Sequence, residues 1–200
     1  MSSLRHTAES LSDPRHAAYL DAARDCILDV GWRRTTLTEV ARRAGVSRMT
    51  IYRAWSDMGS LLGDLMTREW VGIAAATRVA AADTTTPGGI AAAALSTVRA
   101  LRDNELFVRI VELDPDLMLP YLLNRRGRSQ EALIELLAAE VASGQRSGAI
   151  RSGDPVLIAR TLTLAGHGFV FSAMTMTDDQ VGLADLDAEY ARLISRTLEP

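Results

Sequence analysis

An all-α fold is predicted by three observations: apolar residues recur at helical spacing along most of the chain, capping and breaking residues punctuate that pattern, and no alternating strand pattern appears. About nine helices are expected. With 200 residues, 48% hydrophobic and 24% charged, the chain can bury a sizeable core as one large or two smaller domains.

The first dozen residues are polar and read as a flexible arm, 1–13. Asp13-Pro14 offers an N-cap followed by a proline at the first helical position, and Ala17, Leu20, Ala23, Ile27 and Val30 then keep a helical period until Gly31. Thr36-Leu-Thr-Glu39 is a capping box opening a short second helix with Val40, Ala41 and Ala44 inward, broken by Gly45. Ser47 can cap a third helix carrying Ile51, Tyr52 and Trp55. A longer helix over about 57–82 follows and stops at Thr84-Thr-Thr-Pro-Gly-Gly89. Further helices are expected at about 88–103, 105–113, 116–143, 154–177 and 182–198.

The opening MSSLRHTAESLSDPRH lacks the apolar stretch of a secretory signal, and the near-apolar tract Thr161–Thr177 contains Gly, Ser, Thr and His, as a buried helix does. A cytoplasmic protein with no membrane partner is expected. Cys26 is the single cysteine; with only His6, His16 and His167 it forms no zinc spacing, so no metal or cofactor is expected. The net charge of −3 argues against nucleic acid until its distribution is considered. Between Arg33 and Arg53 lie six arginines (33, 34, 42, 43, 48, 53) and one acid, Glu39.

Residues Thr35–Leu62 read TTLTEVARRAGVSRMTIYRAWSDMGSLL. This stretch resembles the signature of the tetracycline-repressor (TetR) family of bacterial regulators in its Thr-Thr opening, Val40-Ala41, Ala44-Gly45-Val46-Ser47, Ile51-Tyr52, the aromatic Trp55 and Leu61-Leu62. The strong resemblance covers Ala18–Leu62. Three departures stand out: Met58 and Ala54 occupy places where the family commonly has lysine and His or Tyr, and Gly59-Ser60 is a weak helix start. They bear on the phosphate grip of that corner, not on the fold.

The resemblance implies a three-helix, helix-turn-helix DNA-binding domain at 14–60 and a helical ligand-sensing and dimerisation domain at 61–200. In such a motif the second helix enters the major groove while neighbouring groups hold phosphates. Ser47, Arg48, Met49 and Thr50 open the recognition helix. Arg48 suits a guanine edge, Met49 a thymine methyl, and Thr50 a base or phosphate. The family match gives the Tyr52 hydroxyl to a phosphate. Arg53 and the capped start of the second helix at Thr36 and Thr38 are further phosphate candidates. Trp55 reads as core, Tyr52 equally as a core body with a phosphate-bound tip, and Arg42 and Arg43 as a solvated face.

Val156–Met176 is apolar nearly all round, so one core contact cannot bury it. The resemblance makes it the penultimate helix, facing a ligand cavity on one side and a dimer mate on the other. The stripe Leu183, Leu186, Tyr190, Leu193, Ile194 and Leu198 would join it in a four-helix dimer interface, or lie in an internal bundle core. Met66, Trp70, Phe107, Ile110, Tyr121 and Phe171, with His167 as polar handle, are the candidate lining of a small-molecule site.

The function expected is thus a sequence-specific transcriptional regulator, a ligand-responsive repressor acting as a homodimer on a palindromic operator. An enzyme is the rival reading, but Gly-x-Ser-x-Gly, Walker, G-x-G-x-x-G and His-Glu-x-x-His motifs are missing, and the acid pairs Asp114/Asp116 and Asp178/Asp179 fall where N-capping explains them. A dimeric helical binding protein whose DNA head has lost affinity is the third.

Overall fold

The structure, a computed structural model, describes residues 14–200. The expected arm at 1–13 lies outside them. Among the described residues there are ten α-helices and three short 3-10 turns, and no strand. The helices are α1 Pro14–Val30, α2 Leu37–Arg43, α3 Arg48–Ala54, α4 Met58–Ala80, α5 Pro87–Arg102, α6 Glu105–Leu113, α7 Leu119–Leu123, α8 Arg128–Arg146, α9 Pro155–Phe171 and α10 Leu183–Leu198. None is long and apolar enough to cross a membrane.

Two expected helices are shorter than their apolar patterns. The pattern over 116–143 divides into a 3-10 turn at Pro115–Leu117, α7 and α8. Pro120 has no amide hydrogen to extend a preceding helix, and Asn124 leaves helical geometry ahead of Gly127. The pattern over 154–177 stops at Phe171, and Ala173–Met176 tightens into a 3-10 turn. There the hydroxyls of Thr175 and Thr177 donate to the carbonyls of Ser172 and Met174. They satisfy acceptors that another helical turn would have used.

The described residues form two compact units. The first comprises residues up to Glu69 together with Asn104–Arg128. Leu20, Ala23 and Ile27 of α1, Val40 and Ala41 of α2, Ile51 of α3 and Leu61 and Leu65 of α4 are buried there, as are Leu106 and Ile110 of α6. Thus α6, which the sequence placed with the C-terminal half, packs on α1. Asp114, just past α6, explains part of this attachment. It is 3% exposed, accepts the Trp32 amide at 3.1 Å and pairs with Arg33 Nε at 3.0 Å. The N-capping role expected of Asp114 is therefore wrong: its carboxylate makes a tertiary contact across more than eighty residues of chain. Asp178 behaves locally, accepting the amides of Gln180 and Val181.

The second unit comprises Trp70–Asp103 and Ser129–Pro200. Its core joins Ile90 and Val98 of α5, Leu137 and Val141 of α8, Ile158 and Leu162 of α9, and Tyr190, Ile194 and Leu198 of α10. These last three belong to a stripe offered above to a dimer mate or to an internal core, and within this chain they are core. Asp187 is also buried and holds Arg99 at 2.7 Å and Arg102 at 2.6 Å. Burial alone would raise its pKa, but the two guanidinium groups hold it below the usual carboxylate value. On α9, Ile158, Ala159, Leu162 and Thr163 point inward, while Val156, Leu157 and Leu164 are exposed. The all-round apolarity of this helix is thus half used within the chain.

Candidate nucleic-acid interface

The α2–α3 pair is built by four local devices. Thr36 caps α2 by accepting the Glu39 amide at 3.2 Å. The Glu39 carboxylate engages Arg42 at 2.6 and 2.9 Å, so the reciprocal half of the expected capping box gives way to an ion pair. That pair holds the Glu39 pKa below its usual value. At the other end Gly45 has φ +68°, Val46 N–H donates to the Ala41 carbonyl at 3.0 Å and Gly45 N–H to that of Arg42 at 3.3 Å. This six-to-one plus five-to-two pattern is a Schellman motif, and the left-handed residue it requires explains the glycine. Ser47 then caps α3, accepting the Thr50 amide at 3.2 Å, with the two hydroxyls 2.9 Å apart.

α3 buries Ile51 and turns its other side chains outward. Met49 is 63% and Tyr52 50% exposed, and Arg48 and Arg53 are exposed as well. Ser47 and Thr36 are exposed, Thr38 and Thr50 half-buried. All eight sequence-proposed contact residues are therefore accessible at least in part, and they fall on two consecutive helices and their caps. Trp55 is core, as its spacing suggests: 2% exposed, it donates from Nε1 to Asp64 at 2.7 Å and meets the His16 ring edge-on.

Ion pairing sorts the arginines of this region. Arg33 is held by Asp114 and Asp116, Arg42 by Glu39, and Arg43 by Asp29 at 2.6 Å. Arg34, Arg48 and Arg53 enter no ion pair among the described residues. Six arginines in sequence thus become three uncompensated guanidinium groups, all exposed. Composition could not reveal this, because the compensating acids Asp114 and Asp116 lie far along the chain.

The weak helix start at Gly59-Ser60 is stronger than its sequence suggested. Asp57 accepts the Ser60 amide at 2.7 Å while the Ser60 hydroxyl accepts the Asp57 amide at 3.4 Å, a reciprocal cap with serine in the usual glutamate place. The Ser60 amide is the first cause of the lowered Asp57 pKa. Met58 is half-buried and supplies no charge at this corner.

The candidate lining residues divide between the units. Met66, Phe107 and Ile110 are buried in the first, where Tyr121 is half-buried. Trp70, His167 and Phe171 are half-buried in the second. His167 Nε2 lies 3.3 Å from Gln130 Nε2, and burial pushes its pKa below the usual imidazole value. No three His, Cys, Asp or Glu side chains among the described residues converge as metal ligands.

Residues 20–65 match the family model for bacterial regulatory proteins, tetR family. An uncharacterized HTH-type transcriptional regulator of Mycobacterium bovis is 37% identical over 154 residues, which are 77% of this chain and 79% of that protein. The chain belongs to the TetR family of bacterial transcriptional regulators. Its α2–α3 pair is accordingly the family's DNA-binding helix-turn-helix. The TetR-family transcriptional repressor QsdR of R. erythropolis has the same fold, with a TM-score of 0.69 at 17% identity over 92% of this chain and 93% of that one. A SmeT–triclosan complex matches with a TM-score of 0.59 at 18% identity, over 94% of this chain and 93% of the other.

Proposed function

We propose that this TetR-family regulator is a ligand-responsive repressor that acts as a homodimer on a palindromic operator. The observation that carries the DNA half of this reading is the capped α3 helix, whose exposed face presents Arg48, Met49, Tyr52 and Arg53 with both arginines uncompensated. Ser47, Arg48, Met49 and Thr50 meet base edges or the nearest phosphates. Tyr52, Arg53, Thr36 and Thr38 hold the backbone and fix the register.

Dimerisation is supported by α9, where Leu157 and Leu164 stay 62% and 72% exposed although the opposite side of the helix is core. Leu193 of α10 is also exposed. A twofold-related copy covering these side chains removes apolar surface from water and spaces two recognition helices for half-sites roughly 34 Å apart.

Small-molecule control is supported by the likeness to SmeT, which forms a complex with triclosan, and repression by the likeness to the repressor QsdR. In this chain α4 is one unbroken helix with residues in both compact units, Met66 in one and Trp70 in the other. An effector that favours one state of this helix would alter operator affinity through a coupling of about 1–3 kcal/mol. Met66, Trp70, Phe107, Ile110, Tyr121, His167 and Phe171 are the proposed effector contacts.

Selecting genomic fragments of the source organism with the purified chain tests the reading. Enrichment of an inverted repeat, bound by a species that sediments as a dimer, is expected. No enrichment above bulk DNA would refute the regulator on this operator model, and a monomer bound to a single half-site would refute the homodimer. A small molecule that raises the melting temperature yet leaves operator affinity unchanged would refute gating by that molecule.

A further inference from the structure

Arg33 and Arg34 are neighbours in the chain with opposite surroundings. Arg33 lies between two carboxylates, its Nε 3.0 Å from Asp114 and its Nη2 3.0 Å from Asp116. Arg34 is exposed and pairs with no acid among the described residues. Both stand on the 3-10 turn Trp32–Arg34, and that turn is fixed at each end. Asp114 accepts the Trp32 amide at 3.1 Å, the Thr35 amide closes on the Trp32 carbonyl at 3.0 Å, and the buried Thr35 hydroxyl donates to Gly31 at 2.9 Å. With three residues per turn, successive side chains project about 120° apart, so the geometry that delivers Arg33 to the carboxylates directs Arg34 away from them. Thr36, the N-cap of α2, follows two residues later, within roughly 7 Å of extended chain. The free guanidinium therefore stands beside the start of the helix-turn-helix.

We propose that Arg34 is a phosphate-contacting residue of the DNA interface, aimed by a turn that Asp114 positions, and that Arg33 is a structural bolt that meets no phosphate. This rests on the DNA-binding reading of α2 and α3. It adds a residue from the turn that precedes them. An uncompensated guanidinium in water gains little where it stands, but against a duplex it releases a condensed counterion. Arg33 cannot do the same without surrendering two carboxylates, one of them buried.

The test measures affinity of the full chain for a short mixed-sequence duplex between about 50 and 200 mM NaCl, where each phosphate contact contributes about 0.9 to the slope and hence about 3.5-fold over that fourfold range. R34Q is expected to shrink the salt dependence by about 3.5-fold per protomer on the duplex, and R34K to restore it, because an ammonium still serves a phosphate. R33Q/D116N removes one positive and one negative charge together, and is expected to keep the wild-type slope. Melting temperature, measured on each variant, shows that the exposed Arg34 change leaves the fold intact. A wild-type slope in R34Q, or a loss in R33Q/D116N equal to that of R34Q, overturns the proposal while leaving DNA binding established. Loss of slope that R34K does not restore overturns the phosphate assignment. Wild-type protein without salt-dependent binding overturns the DNA reading together with it.

Discussion

Tyr52→Phe removes one hydroxyl from α3 and nothing else. The ring is 50% exposed, and the hydroxyl makes no hydrogen bond among the described residues. The free protein therefore loses no internal partner, so the melting temperature should stay the same. Everything the hydroxyl contributes should appear on DNA. A hydroxyl donated to a phosphate is a hydrogen bond to a charged group, worth about 1.5–3 kcal/mol, or roughly 10- to 100-fold in affinity for each engaged protomer. Because the acceptor is backbone, the loss should be the same on operator and on unrelated duplex, and the ranking of sequences should not change. Its salt slope should not change either, since no cation is removed. Anisotropy titrations of wild type and variant on a panel of duplexes read all three quantities. A variant that reorders the panel, or one that melts earlier, would refute the assignment of this tip to a phosphate: the first outcome makes it a base reader and the second a packing residue.

Arg48→Ala should cost about 1–3 kcal/mol of discrimination at one position per half-site, read by selection from a randomised operator library, with other positions unaffected. Gly89→Ala should destabilise the second unit, because a Cβ would lie 1.5 Å from the Asp83 carbonyl oxygen. Relief displaces the Thr86 cap that accepts the Gly89 amide at 3.1 Å. The loss of that cap costs about 1 kcal/mol at least, seen in calorimetry as a Tm lowered by about 2–4 °C or more. His167 has a folded-state pKa below the unfolded value near 6.5, so the unfolded chain binds the proton more readily. The contribution of neutral His167 is fully present above that value and is lost as pH falls below it and through the lower folded-state pKa. His167→Gln should flatten the decline of Tm between neutral and mildly acidic pH, and an unchanged decline would exclude this imidazole as its cause.

Local signals made the first half of the fold legible. Pro14, the Thr36 and Ser47 caps, Gly31 and Gly45 each act within one helical turn, and α1, α2 and α3 stand where those residues place them. The failures share a different origin. Apolar periodicity runs through Pro120 and Gly127 and past Phe171 without registering the backbone hydrogen bonds that break there. Tyr190, Ile194 and Leu198 form a stripe equally suited to a partner or to the chain's own core, and only three-dimensional packing selects the core. Asp114 is the plainest case: beside Pro115 it reads as a cap, yet its partners Trp32 and Arg33 are remote in sequence. Periodicity carries no information about contacts at that separation. The recognition helix was legible because its signature is local. The choice of Arg48 and Arg53 over Arg42 and Arg43 was legible too, but the division of Arg33 from Arg34 was not, because it depends on Asp114 and Asp116, contributed by a remote segment.

That selection turns the chain's acidity into a quantitative expectation. A net charge of −3 coexists with DNA binding only where acids are absent or already engaged. Around the Trp32–Arg53 segment, Glu39 within it and Asp29, Asp114 and Asp116 from outside it are all engaged by Arg42, Arg43 and Arg33. Among the described residues, the proposed DNA-facing surface is therefore positive by three side chains per protomer rather than six. The proposed homodimer would bring six such arginines, so on mixed-sequence DNA the logarithmic salt slope should approach about −5 and go no steeper, at about 0.9 per neutralised phosphate. Met58 and the Tyr52 hydroxyl carry no positive charge and add nothing to the slope. A measured slope near −10 would require the paired arginines to abandon their carboxylates, or cations elsewhere such as Arg5 to join. In the first case R33Q/D116N would lower the slope, and the division of this surface into engaged and free arginines would be wrong; in the second it would leave the slope unchanged.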